Sequence, residues 1–240
     1  MFVRDRKLGT TERVSVATGG HQGNGRSTDP VISANGRFVV FASKATNLVP
    51  GDTNRVTDIF VRDRKRGTTE RVSISSGGAQ ADRPSFGQSI SADGRFVAFA
   101  SRATNLALGD TGPNQDVFVR DRHLGTTETV SVGLNGVHAR GHSFYPSISK
   151  DGRFVAFVSG ASNLVQGDTN NVQDVFVRDR RARVTILASV GQGRDRFRDG
   201  GILATITPDG RAVAFVSGDL VPEDTNGFED VYIRLLRGGE

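Results

Sequence analysis

Asp151-Gly152-Arg153-Phe154-Val155-Ala156-Phe157 reads as a tight turn followed by a short apolar strand. The phrase returns as Asp93 to Phe99, as Asn35 to Phe41 and, with Ala212 in place of the first Phe, as Asp209 to Phe215. The spacing is constant, since 93 − 35, 151 − 93 and 209 − 151 are each 58. A fixed period of that length marks a repeat architecture and outranks any local signal.

Working outward from the third copy, four strands are expected between Pro146 and Val190. Pro146 to Ser149 is the first, headed by a Pro, which suits a strand start. Asp-Gly, or Asn35-Gly36 in the first copy, then turns the chain as a two-residue hairpin whose members tolerate positive φ. The second strand, Arg153 to Ser159, is apolar at consecutive positions and must be covered on both faces. Asp174 to Arg178 has the same character. The fourth type, Arg71-Val72-Ser73-Ile74-Ser75, alternates apolar and polar residues like an edge strand. Eleven of the 15 Phe residues fall on second and third strands, which places the core there.

Two packed layers would bury one face of each strand, whereas sheets fanned around an axis bury both faces of their middle strands. The predicted fold class is therefore all-β, a β-propeller of four-stranded antiparallel blades built from four repeats of 58 residues. The blades span approximately residues 30–75, 84–133, 146–190 and 202–236 of one domain, 1–240. The last blade lacks an outer strand, and the N-terminal strands within residues 2–16 offer one, which would close a four-bladed ring. The alternative is an arc of a larger propeller, completed by a homo-oligomer. The opening Met1-Phe2-Val3-Arg4-Asp5-Arg6 matches Val117 to Arg122 and begins in mid-repeat, so an upstream extension of the reading frame is expected.

Without Cys there is neither a disulfide framework nor a thiolate metal site. No stretch of about 18 apolar residues predicts membrane insertion. The net charge of +5 comes mostly from Arg interleaved with Asp, as in Arg62-Asp63-Arg64, which reads as a solvated, self-compensating surface. With no aromatic stacking platform, nucleic acid is not an expected partner.

Two polar features stand out. Between second and third strands lie Asp52, Asn54 and Asp58 in the first copy and Asp168, Asn170 and Asp174 in the third. The fourth copy has Asp224, Asn226 and Asp230, and the second has Asp110 and Asp116 with Gly112 where Asn is expected. Such loops make side-chain-to-backbone turns, the second Asp opening the strand. They also offer the oxygen ligands a calcium ion takes, although the Gly and Glu of an EF-hand loop are missing. The second feature is the Gly-rich connector into each first strand. It carries Arg26, Arg83, His138, Arg140, His142, Arg194, Arg196 and Arg198, candidate rim residues for forked contacts to carboxylate, sulfate or phosphate. Otherwise they keep the rim soluble. No catalytic residue is predicted: Gly141-His142-Ser143-Phe144-Tyr145 lacks the last Gly of a nucleophile elbow, and no phosphate-binding Gly-Lys-Ser/Thr loop occurs.

The pattern Pro-x-Ile-Ser-x-Asp-Gly-Arg-Phe-Val-Ala-Phe followed by Asp-Val-Phe-Val-Arg-Asp resembles the TolB-type β-propeller repeat, a relative of the WD-repeat propellers, over essentially the whole chain. Departures are local, at Ala212, Arg181-Ala182-Arg183 and Ile233 to Leu236. The resemblance implies a periplasmic or extracellular setting and a protein or peptide partner bound at the rim, without cofactor. Its alternatives are a calcium-assisted carbohydrate-binding propeller and the propeller portion of a larger peptidase-like enzyme.

Overall fold

Turn chemistry and apolar runs repeat along the chain, and so do the sheets. The structure, a computed structural model, describes residues 1–109, 112–191, 200–218 and 220–236. A hairpin comes first, β1 (Phe2–Asp5) with β2 (Thr10–Arg13). Three four-stranded antiparallel sheets follow in simple sequential order. The first is β3 (Ser27–Ile32), β4 (Phe38–Ser43), β5 (Asp58–Asp63) and β6 (Thr68–Arg71). The second is β7 (Ser85–Ile90), β8 (Phe96–Ser101), β9 (Asp116–Asp121) and β10 (Thr126–Thr129). The third is β11 (Ser143–Ile148), β12 (Phe154–Ser159), β13 (Asp174–Asp179) and β14 (Val184–Leu187). The last sheet has three strands, β15 (Ile202–Ile206), β16 (Ala212–Ser217) and β17 (Asp230–Leu235).

The core lies between these sheets. Val40, Ala42, Ile59 and Val61 of the first blade pack on Val97, Phe99 and Phe118 of the second. Ala98, Val117 and Val119 meet Val155, Phe157 and Phe176 in the same way, and Ala156, Val158, Val175 and Val177 meet Val213 and Phe215. Within each blade one second-strand Phe faces one third-strand aromatic directly across the ladder, at 5.9 Å for Phe41–Phe60 and 5.8 Å for Phe157–Phe176. Burial on both faces is what the consecutive apolar run requires.

Three local expectations are corrected. The turn between first and second strands spans five residues, 33–37 in the first blade, and only its Gly is left-handed. The preceding Asp or Asn acts as an acceptor: Asn35 Oδ1 takes the Arg37 N–H at 3.0 Å and Asp151 Oδ1 the Arg153 N–H at 3.0 Å. The shared side-chain oxygen, not tolerance of positive φ, explains the exchange of Asp for Asn. First strands begin earlier than the Pro, β11 at Ser143. Fourth strands end where they were expected to begin, β6 at Arg71. Beyond it Val72 and Ser73 turn inward, and Ser73 Oγ accepts the Ile59 N–H at 3.1 Å while donating to Asp58 Oδ1. The alternation there is the chain re-entering the core.

The Arg-Asp-Arg triplets form an interlocking latch rather than a solvated charge mixture. Asp63 takes a forked pair from Arg37, Nε at 2.9 Å and Nη2 at 2.6 Å, and also the N–H groups of Lys65 and Arg66. Arg122 reaches across blades, donating Nε to Glu70 at 2.6 Å and Nη1 to the Gly94 carbonyl. Its guanidinium lies 4.6 Å from the Phe38 ring centre, with Arg37 at 4.7 Å on the same ring. Arg180 repeats this with Glu128, Gly152 and Phe96. An exposed ion pair of this kind contributes about 0–1 kcal/mol. A guanidinium over a ring adds about 0.5–2 kcal/mol. In the last blade Leu235 and Leu236 replace the Asp and Arg, and Arg211 is left only a 4.0 Å approach to Asp209 among the described residues.

The expected pairing of the chain ends also differs. β2 pairs with β1, and β17 has no neighbour on its free edge among the described strands. A hairpin closed by residues 6–9 costs much less loop entropy than joining the two ends. Met1, Val3 and Val14 already pack on Val39, Phe41 and Phe60. Val231 and Ile233 stand where Ile59 and Val61 are buried, yet are 72% and 71% exposed. Among the described residues, that side of the last sheet is therefore left uncovered.

Candidate binding site

Each first strand slips register in its middle, between Thr28 and Val31, Phe86 and Ser89, Phe144 and Ser147, and Ile202 and Thr205. At each slip one residue is left-handed: Asp29 (φ 54°), Gly87 (58°), Tyr145 (53°) and Leu203 (54°). Only Gly adopts this conformation freely; another residue pays about 1–2 kcal/mol. Bulges re-aim side chains and cluster at functional edges. Here they recur at one repeat position with four different side chains.

The inner strands β3, β7 and β11 pack side by side and line an open cavity of about 730 Å³. Pro30, Val31, Phe86, Phe144 and Tyr145 give it an apolar wall, with the Phe144 and Tyr145 rings edge-on at 5.0 Å. Asp29, Gln88, Arg102 and Gln115 supply its polar side chains. Gln88 is buried, donates Nε2 to the Asp29 carbonyl, and leaves Oε1 without a partner among the described residues. Such an orphan asks for a donor.

The connector residues predicted from sequence converge less. Arg26, Arg83 and Arg140 are exposed and none lines this cavity. His142 Nδ1 accepts the Gln115 N–H at 3.0 Å, holding a cavity residue in place. His138 is half-buried, bridged to Val132 through the backbone. Arg194, Arg196 and Arg198 lie outside the described residues. Ser143, in the near-elbow sequence, donates to Ser159 Oγ at 2.9 Å, and Ser27–Ser43 and Ser85–Ser101 repeat that pair at 3.0 Å. The cavity residues escaped sequence reasoning because they sit within strands. The available signal was one repeat position, 29, 87, 145 and 203, changing type in every copy.

In the Asp/Asn loops the second Asp opens the third strand in all four blades. Asn54 Nδ2 donates to Asp58 at 2.8 Å, Asn170 to Asp174 at 2.9 Å and Asn226 to Asp230 at 3.1 Å. Their Oδ1 atoms accept N–H groups two residues on. Asp116 accepts Ser131 Oγ at 2.6 Å, and Asp110 lies outside the described residues. Burial raises the carboxyls of Asp52, Asp58, Asp116 and Asp168 above their ordinary value. Burial pushes Asp174 to about 6, with the Asp168 charge adding and hydrogen bonds from Ser189 and Asn170 opposing. Asp63 is held at about 2 by the Arg37 pair.

These two shifts have opposite signs. Asp174 binds its proton more tightly in the folded state, so its stabilisation is full below about pH 4 and is lost as pH rises through about 6. Asp63 stabilises above about pH 4, and this is lost as pH falls through about 2. Thermal melts in EDTA should show Asp174→Asn gaining on the parent between pH 4 and pH 7. Asp63→Asn should lose most at pH 7 and least near pH 2. A pH-independent difference for Asp174→Asn would contradict the burial of an ionising carboxyl there.

No family model and no curated protein matches the chain. Solved structures do. An oligogalacturonate lyase in complex with manganese aligns at 14% identity over 97% of this chain and 53% of its own, TM-score 0.53. A puromycin-hydrolyzing peptidase from Mycobacterium tuberculosis aligns at 13% identity over 95% and 33%, TM-score 0.50. The chain is a β-propeller. A protein assigned as TolB from Agrobacterium tumefaciens aligns at 16% identity over 88% and 74%, TM-score 0.49. The propeller thus spans about half of the lyase and a third of the peptidase. Its all-β sheets and the TolB-type repeat pattern agree on one fold. No helix among the described residues is long and apolar enough to cross a membrane.

Proposed function

We propose that this propeller is a non-catalytic module that binds a protein or peptide partner in the cavity between its inner strands. The carrying observation is the aromatic wall of Phe86, Phe144 and Tyr145, with Tyr145 turned out by its bulge and Gln88 Oε1 left open. Aromatic side chains in a concave site with few polar groups suit a peptide that supplies one apolar anchor and backbone N–H donors. Arg102 adds a guanidinium for a carboxylate or carbonyl on that partner. The TolB-type resemblance supports an envelope or secreted setting, which cell fractionation tests. It extends no catalytic residue to this chain.

Panning a random peptide display library on the immobilised chain should enrich a family of sequences with an aromatic or large aliphatic anchor. Tyr145→Ala, a change at an exposed side chain, should weaken an enriched peptide at least tenfold, about 1.4 kcal/mol, in fluorescence polarisation. Equal binding by that variant would remove the cavity as the site. Hydrolysis of the enriched peptides by the purified chain would overturn the non-catalytic reading.

A further inference from the structure

The Asp/Asn loop of the third blade keeps two carboxylates but has lost the cation that joins them in the first blade. Between β4 and β5, Asp52 and Asp58 converge on one guanidinium nitrogen: Arg71 Nη1 lies 3.0 Å from Asp52 Oδ1 and 3.4 Å from Asp58 Oδ2, all three side chains buried. Arg71 stands opposite Phe60 on β6. The corresponding place on β14, opposite Phe176, holds Leu187. The rest of the loop is retained, since Asn170 Nδ2 bonds Asp174 Oδ2 at 2.9 Å and Ser189 Oγ bonds Asp174 Oδ1 at 2.6 Å, as Asn54 and Ser73 bond Asp58. Asp168 is 6% exposed, and its Oδ1 has no hydrogen-bond partner among the described residues. Two buried carboxylates with no countercharge among the described residues are costly, and an orphaned buried oxygen points to a missing ligand.

We propose that the β12–β13 loop binds a hard divalent cation, calcium, with Asp168 Oδ1 and Asp174 Oδ2 as charged ligands and water completing the shell. Burial of both carboxylates favours a small ion over a partner's ammonium or guanidinium. Calcium accepts an irregular oxygen set with waters, whereas magnesium requires near-ideal octahedral geometry. The site belongs to the third blade. Arg71 fills the equivalent place in the first, and in the fourth Asp224 accepts the Tyr232 hydroxyl beside an exposed Asp230.

The test uses the full chain, stripped with EDTA and melted with increasing CaCl2 to about 10 mM, above the 10⁻⁴–10⁻³ M range of weak extracellular sites. Free calcium a hundredfold above its Kd should raise the midpoint by about 5–10 °C for a chain of this length. Asp168→Asn should abolish the shift. Leu187→Arg, which rebuilds the first-blade arrangement, should abolish it too and raise the metal-free midpoint, so the proposal stays testable if Asp168→Asn does not fold. No shift in the parent, an undiminished shift in Leu187→Arg, or an equal response to MgCl2 would overturn the proposal.

Discussion

Gly94→Ala should destabilise the protein by about 2–5 kcal/mol, and Gly36→Ala, the same turn position one repeat earlier, by only about 1–2 kcal/mol. Both glycines are left-handed, at φ 77° and 69°, so both variants carry the backbone penalty. They differ in what the new methyl meets. At Gly94 it would lie 2.1 Å from Phe38 Cδ2, inside a ring already held between Arg37 and Arg122. At Gly36 it meets nothing nearer than Arg64 Nη1 at 3.8 Å, and no Phe ring lies against that turn. Urea denaturation checks the pair. If ring contact is the cause, Phe38→Ala combined with Gly94→Ala should cost less than the sum of the two, a coupling expected of touching residues. Equal losses at Gly36 and Gly94 would mean the turn is strained by its backbone alone.

That contrast marks what was legible in the sequence. The 58-residue period, the consecutive apolar strands and their Phe residues led directly to stacked sheets, because burial on both faces has few solutions. Contacts between copies were hidden. Arg122 touches Glu70, Gly94 and Phe38 from the neighbouring repeat and its own turn, and nothing in Arg-Asp-Arg as a string distinguishes that from a solvated charge pair. The cavity stayed out of view for a related reason: Tyr145 looks like an ordinary residue beside Pro146 until the register slip turns it outward. Arg71 and Leu187 show the reverse case. They occupy one repeat position and were visible from the start, but the consequence for Asp52 and Asp168 required knowing that strand four lies over that loop.

Phe176→Ala should cost about 3–5 kcal/mol, the loss typical of a buried aromatic side chain cut to a methyl. Its ring is fully buried and stacks on Phe157 at 5.8 Å and 25°. Phe2 holds the same repeat position, as 176 − 2 is three periods of 58, but it is 63% exposed. The Arg13 guanidinium at 5.2 Å covers it, so Phe2→Ala should cost no more than about 1 kcal/mol. Melts of both variants at two protein concentrations decide what lies over that ring. A small, concentration-independent effect at Phe2 fits an arc whose first hairpin leaves one face open. A loss matching Phe176 at every concentration would mean the chain's own last blade covers Phe2 and closes the ring. A large loss that appears only at high concentration would place another copy there, because only an interface between molecules makes stability depend on how many are present.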